Sequence, residues 1–496
     1  MSTYEEKIPP RLPGTAPARA TPPREGSPGL ALALMVTAQF MVILDSSIIN
    51  VALPTIQSSL GFTALGAEAV ITAYATAFGG LLILGGRLCD LFGHRRIFVT
   101  GLLAFGVTSL ACGLAISPAF LVVARVAQGA SAALLAPSAL ALLTTTFPEG
   151  AARNRALGVF GAATSLGFVA GQILGGVLAQ TVGWRSVFLI NVPIAVLAAA
   201  LTVRSIPGIA PAGGRRAPDV LGAVLVTSAA ALLVWAPTYG SGHGWTSAGF
   251  LGVMVASIAL FGVFVLIERS RRDPLIRLSL LRSRWLIGTN LATAVTGALN
   301  GAVVLLCSLF LQQAHHYSPL RAGLAFVPTG VAGLIAGVRL AGPLITRLGV
   351  RWVLTWMPLI SAVAIAGLSR LPGHAPYYPP LLPWLVVIGL SFTTAAVATT
   401  VAVSTGVARG EQGMAAALRQ TAFQLGVALG VAVFVSLAAS HTAALLGHAH
   451  PPSREAALTA GFRLSLVVLA VLSAVGGLIA FVLLRSPSET AEPAGD

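Results

Sequence analysis

Two ionisable side chains stand where a charge is expensive. Asp45 lies inside the apolar run 30–53, and Arg125 inside the run 118–141. At about 1.5 Å per helical residue, Asp45 sits roughly 22 Å from the start of its run. An Asp near the centre of a membrane-spanning helix costs about 2.5–3.5 kcal/mol on insertion scales. Such a residue is retained for a function or for a partner. A carboxyl shared between an apolar setting and a nearby cation is suited to loading and releasing a proton. The alternative is a buried Asp paired only for packing. Arg125 lies roughly 12 Å into its helix and Asp45 roughly 8 Å from the same side of a ~30 Å core, so a contact, direct or through water, is within reach. Gln128 and Gly129 follow Arg125 on the same helical face. An Arg that snorkels outward to the headgroups is the competing reading.

Other patterns are marked by spacing or by polarity rather than by a charge inside an apolar run. Gly167, Gly171 and Gly175 recur every fourth residue, with Gly158, Gln172 and Gly176 beside them. Small residues at that interval let two helix backbones approach closely. The stretch Gly86-Arg-Leu-Cys-Asp90-Leu-Phe-Gly93-His-Arg95-Arg96 joins two apolar runs. Its glycines permit a tight turn, and Asp90 can cap a helix or pair with an Arg across the loop. That would hold one side shut. Gln39, Asn50, Gln128, Asn300 and Gln424 are the candidates for a substrate cavity, although helix phase alone does not say which of them line it. No metal site is expected, because the histidines at 315–316 and 441–450 have no carboxylate cluster with them. The three cysteines fit neither a disulfide framework nor a metal site. No phosphate-binding GxxxxGK[ST] occurs, which argues against an ATP-driven pump.

The elements that must position these residues are membrane helices. Of 496 residues, 56% are hydrophobic and only 9% are charged, and the mean hydropathy is +0.88. Helices apolar all round are solvated by lipid. Runs long enough to span occur at 30–53, 67–86, 96–117, 118–141, 154–180, 184–204, 219–238, 247–267, 285–312, 320–346, 351–370, 380–404, 412–440 and 461–485. With a cytoplasmic N-terminus, the inner loops carry Arg87, Arg95, Arg96, Arg153, Arg155, Arg204, Arg269, Arg271, Arg347 and Arg351, among others. The opposite loops carry only Arg185, Arg321, Arg370, Arg454 and Arg463. This asymmetry places both termini in the cytoplasm. It also explains a net charge of +15 without a nucleic-acid partner, since the basic residues form no single patch.

An internal repeat sets the domain plan. Gly86, Leu88, Gly93 and Arg95 match Gly342, Leu344, Gly349 and Arg351 at one constant offset. Duplicated halves mark many transporters. The expected plan is a disordered tail over 1–28 with no cleavable signal peptide, then a six-helix bundle over 29–205. An inserted helix pair with its linkers follows over 206–283. A second six-helix bundle covers 284–486, and a tail covers 487–496. A membrane enzyme or sensor would need a paired catalytic constellation or a soluble signalling domain, and neither is present.

These residues resemble the fourteen-helix drug:proton antiporter branch of the major facilitator superfamily. Leu44-Asp45-Ser-Ser-Ile-Ile-Asn50-Val-Ala-Leu-Pro54 is similar to its first-helix motif, and Gly86 to Arg96 to the superfamily's loop motif. Arg125-Val-Ala-Gln128-Gly129 resembles the fourth-helix motif, and Gly158 through Gly176 the antiporter motif. Trp184-Arg185 with Phe188-Leu-Ile-Asn191-Val-Pro193 also matches. Gln172 stands where the antiporter motif usually has Pro, and Ser47 where Thr is commoner.

The resemblance implies an all-α major facilitator fold, with two six-helix bundles plus two inserted helices. It implies alternating access, with the proton gradient and no cofactor driving export of hydrophobic or cationic small organic molecules. Asp45 and Arg125 would couple the proton. Asp90, Arg95 and Arg96 would stabilise the outward-open state, and the fifth-helix glycines would shape the bundle interface. The expected protein is a monomer in the cell membrane. Its expected partners are a small molecule, protons and the bilayer. A same-fold transporter of a lipid, a siderophore or an imported solute is the alternative.

Overall fold

The structure is a computed structural model and describes residues 27–63, 66–148, 150–206, 219–271, 283–370, 381–405, 412–448 and 450–484. All but residues 27–28 of the two expected tails, and most of the linkers on either side of the inserted helix pair, lie outside the described residues. Fourteen helices among them are long and apolar enough to cross a membrane. They are α1 Pro28–Leu60, α2 Ala69–Phe92, α3 His94–Gly113, α4 Pro118–Thr146, α5 Arg155–Thr181, α6 Ser186–Ser205, α7 Val220–His243 and α8 Ala248–Ser270. The second half has α9 Arg284–Gln313, α10 Pro319–Leu348, α11 Val350–Ser369, α12 Leu382–Val403, α13 Gly413–Leu446 and α14 Arg454–Leu483.

Local chemistry explains the helix ends. Ser117, Ser247, Ser283, Ser318 and Ser453 each accept a backbone N–H three residues on, so each supplies an N-cap. Two boundaries differ most from the apolar runs. α1 continues through Pro54 and stops at Gly61, whose φ of 72° closes the helix with a bond to Gln57. α14 starts at Arg454 rather than at 461, because Ser453 caps it and Glu455 favours the first turn. Arg454 and Arg463 therefore belong to a helix and not to a loop.

The helices form two equivalent halves. α1 packs on α5, α2 on α4, and α3 on α4 and α6; in the same way α9 packs on α13, α10 on α12, and α11 on α12 and α14. The halves meet along two seams, α2 against α13 and α5 against α10. α7 packs against both α2 and α13, so the inserted pair covers the first seam, with α8 outside it. Ser257 of α8 donates to the Ala229 carbonyl of α7, and Asp219 pairs with Arg271 at 2.8 Å across the base of the hairpin. Val255, Ile258, Phe261 and Leu266 on α8 are exposed, an apolar face suited to lipid.

The repeat read in the sequence has the same geometry twice. Gly93 and Gly349 have φ values of 88° and 80° and divide consecutive helices. Arg95 then donates to the Val203 carbonyl at 2.6 Å, near the end of α6. Arg351 donates to the Phe481 carbonyl at 3.2 Å, near the end of α14. Each Arg thus satisfies a carbonyl in the last turn of its half's final helix. A Cβ at Gly349 would occupy a backbone region that is essentially glycine-only, at a cost of about 1–3 kcal/mol. Gly349→Ala is expected to lower the thermal unfolding midpoint in detergent by a few degrees. An unchanged midpoint would show that the turn relaxes freely.

Contacts between the halves define the conformation. We call the side bearing Arg95, Arg204, Arg271, Arg284 and Arg351 the arginine-rich face. Ser308 of α9 donates to the Asn50 carbonyl at 2.9 Å and Gln312 to Val51 at 3.2 Å, both in the opposite half of the membrane. On α5, a Cβ at Gly176 would meet Leu320 and Pro319 of α10, whereas at Gly158 or Gly161 it would meet nothing within 4 Å. The molecule is closed on its arginine-poor side.

Candidate functional site

α1 carries Asp45 into the interior of the first half, where it has no solvent exposure. α4 brings Arg125 and Gln128 to it on one face, one helical turn apart. The Arg125 Nη1 donates to Asp45 Oδ2 at 2.6 Å and to Gln128 Oε1 at 2.7 Å. Its Nε donates to the Val70 carbonyl of α2 at 2.8 Å. Gln128 Nε2 donates to Asp45 Oδ1 at 2.9 Å and to the Ser109 hydroxyl of α3 at 2.8 Å. Asn191 of α6 donates to the same Oδ1 at 2.9 Å. The Tyr74 ring lies under the guanidinium, 4.2 Å from its carbon to the ring centroid.

Five helices therefore contribute to one hydrogen-bonded network around this carboxylate. An ion pair sealed from water needs further hydrogen bonds to offset its desolvation, and here Gln128 and Asn191 donate to Asp45 while Val70 and Gln128 accept from Arg125. The arrangement has a direct chemical consequence. Any change that neutralised Asp45 would remove Arg125's counter-charge, and the guanidinium would then have to turn toward another acceptor or toward water. The contact that the sequence left open as direct or water-mediated is direct.

The other sequence candidates fall in different places. Gln128 belongs to this sealed network and not to a cavity wall, because both ends of its amide are held inside the first half. Gln39 is partly exposed and donates to Thr164 of α5 at 3.2 Å. Asn50 is half-buried and bonds back to the Ser47 carbonyl at 3.3 Å. Asn300 is half-buried on α9. Gln424 is buried on the α2–α13 seam, its Cβ opposite Gly79. Gly86 has open space around it, and Asp90 and Arg96 are exposed. Among the described residues, no cluster of three His, Cys, Asp or Glu side chains could hold a metal.

The fifth-helix glycines divide into two sets. A Cβ at Gly167, Gly171 or Gly175 would strike α1, at Phe40 and Ile43, at Ser47 and Leu44, and at Ile48 respectively. Gly176 instead faces α10 across the seam, and Gly323 of α10 lies against the Gln172 carbonyl. The Gln172 side chain is fully buried with neither amide atom bonded. Asn191 as a partner of Asp45 was not foreseen. Its signal was present, since it is a polar residue in an apolar run, two positions before Pro193.

Comparison with known proteins agrees with this architecture. The family model described as Major Facilitator Superfamily matches residues 35–299 and 285–496. The chain is 37% identical over 419 residues to the cephamycin export protein CmcT of Amycolatopsis lactamdurans, covering 83% of this chain and 85% of that one. It is 34% identical to the puromycin resistance protein pur8 of Streptomyces alboniger, over 94% of this chain and 93% of that one. It is 36% identical to the tetracenomycin C resistance and export protein of Streptomyces glaucescens, over 84% and 77%. Among solved structures, a bacterial homologue of the human lysosomal transporter Spinster aligns with a TM-score of 0.68 at 14% identity, covering 92% of this chain and 96% of that one.

Proposed function

The chain belongs to the Major Facilitator Superfamily and is a multi-pass membrane transporter, and from that premise we propose that it exports antibiotic-like small organic molecules in exchange for protons. The relatives named for cephamycin, puromycin and tetracenomycin C supply the substrate class. The positive-inside rule assigns the arginine-rich face, and with it both termini, to the cytoplasm of a cell that carries this protein in its plasma membrane. Transport proceeds by alternating access, with the two halves rocking about the α2–α13 and α5–α10 seams. The protein works as a monomer and takes its energy from the proton gradient.

One observation carries the coupling. Asp45 is a titratable group with no solvent exposure, held against a cation by a network that joins α1, α4 and α6. Uptake of a proton must rearrange that network, which gives the proton a mechanical consequence inside the first half. The test uses inverted membrane vesicles and a susceptibility panel. Expression is expected to raise tolerance to at least one antibiotic in the panel. Vesicles should accumulate that compound only while a proton gradient exists. Uptake that continues after a protonophore collapses the gradient would refute proton exchange.

A further inference from the structure

A second acid in this molecule is buried without a cation. Glu68 immediately precedes the α2 span on the arginine-poor side and is 2% exposed. It makes no side-chain cap to its helix. Thr238 of α7 donates to Oε1. Ser436 of α13 adjoins the same carboxyl. Oε2 and the Ser436 hydroxyl are both sealed from water and have no other partner. The carboxyl therefore sits where the first half, the inserted pair and the second half come together. The titratable side chains closest in sequence to Glu68, Thr238 and Ser436 on these helices are Tyr74 on α2, Tyr239 and His243 on α7, and His441 on α13. None of them acts on Glu68 as a charge.

An ionised carboxylate that faces only two neutral hydroxyls and no cation in such a place costs several kcal/mol, whereas the protonated acid carries no charge and can still share a hydrogen bond with Ser436. We propose that Glu68 is a distinct proton-binding site, and that a proton taken from the arginine-poor side holds that side of the transporter shut. The equilibrium is simple: the carboxylate and one external proton give the carboxylic acid, and the proton returns outward when the seam reopens. The inserted helices thereby gain a role, since Thr238 on α7 supplies the donor that tunes the site. The inference rests on the alternating-access reading above but not on Asp45 as the coupling group.

The sign follows from linkage. Burial pushes the Glu68 carboxyl up to about 8 in this closed state, from an ordinary value of 4.5. When the seam opens, water restores the ordinary value. Protonation therefore favours the closed state fully below the ordinary value, and that advantage is lost as pH rises through about 8.

The experiment measures opening directly. Spin labels at Ser59→Cys on α1 and Ala444→Cys on α13 report the distance across the arginine-poor side of the full-length protein in lipid nanodiscs. Both positions are exposed, and the native cysteines are buried. Gly176→Leu supplies the reference for the open distance. The closed population should fall as pH rises through about 8, persist at alkaline pH in Glu68→Gln, and fall only at higher pH in Thr238→Val. If Glu68→Gln follows the wild-type pH curve, the proposal is overturned. If Gly176→Leu lengthens the distance but pH does not, the proposal fails while alternating access stands. If neither changes the distance, both fail.

Discussion

Asp45→Asn is expected to abolish proton-driven uptake into inverted vesicles and to destabilise the protein by about 3–5 kcal/mol, the usual cost of breaking a buried ion pair by removing one partner. Arg125→Gln is expected to abolish coupling as well but to cost less stability. The asymmetry comes from chemistry. A carboxylate left alone can neutralise itself by taking a proton, and a guanidinium cannot lose one. Asp45→Asn leaves Arg125 buried and cationic, with the Val70 carbonyl, Gln128 and the Tyr74 face as its remaining neighbours. The double variant removes both charges and should recover most of the lost stability while transport stays uncoupled. Thermal unfolding in detergent and vesicle uptake measure the two effects separately. If the double variant recovers both stability and proton-driven uptake, Asp45 is a packing residue and another group carries the proton.

How much of this site could be read in advance depended on whether a residue's surroundings lie on its own helix. The spans were legible because each is an apolar run of sufficient length, and the halves because Gly93 and Gly349 repeat with their arginines. Asp45 and Arg125 stood out because a charge in an apolar run is costly wherever it points. Gln128 was assigned to a cavity because an amide in a span is ambiguous. Its place was fixed by Ser109 and Asp45, which lie on other helices. Glu68 gave no signal, because an acid beside the start of a span looks solvated. Its burial comes from Thr238 and Ser436, distant in sequence. Helix ends were misjudged at Gly61 and Ser453, where a cap and not hydropathy decides the boundary.

The glycine row shows the same limit, and it leads to the second large effect. Gly175 and Gly176 are neighbours in sequence, yet about 100° of helical rotation separates their faces. Gly175 looks at Ile48 of α1, inside the first half. A Cβ at Gly176 would lie 2.6 Å from the Leu320 Cα and 2.7 Å from the Pro319 carbonyl of α10, in the other half. That contact exists only while the arginine-poor side is closed, and backbone atoms cannot step aside as a flexible side chain can. Gly176→Leu should therefore leave each half folded but forbid closure, trapping the transporter open on that side and reducing turnover to background. Gly175→Leu should instead wedge α1 from α5 and lower stability by about 1–3 kcal/mol, the usual range for overpacking. The pair separates a moving seam from a fixed one by a single residue. Melting curves and the spin-label distance read the difference: Gly176→Leu should melt near wild type with a long distance. A Gly176→Leu protein that transports at the wild-type rate would show that turnover does not need the close α5–α10 contact at Gly176.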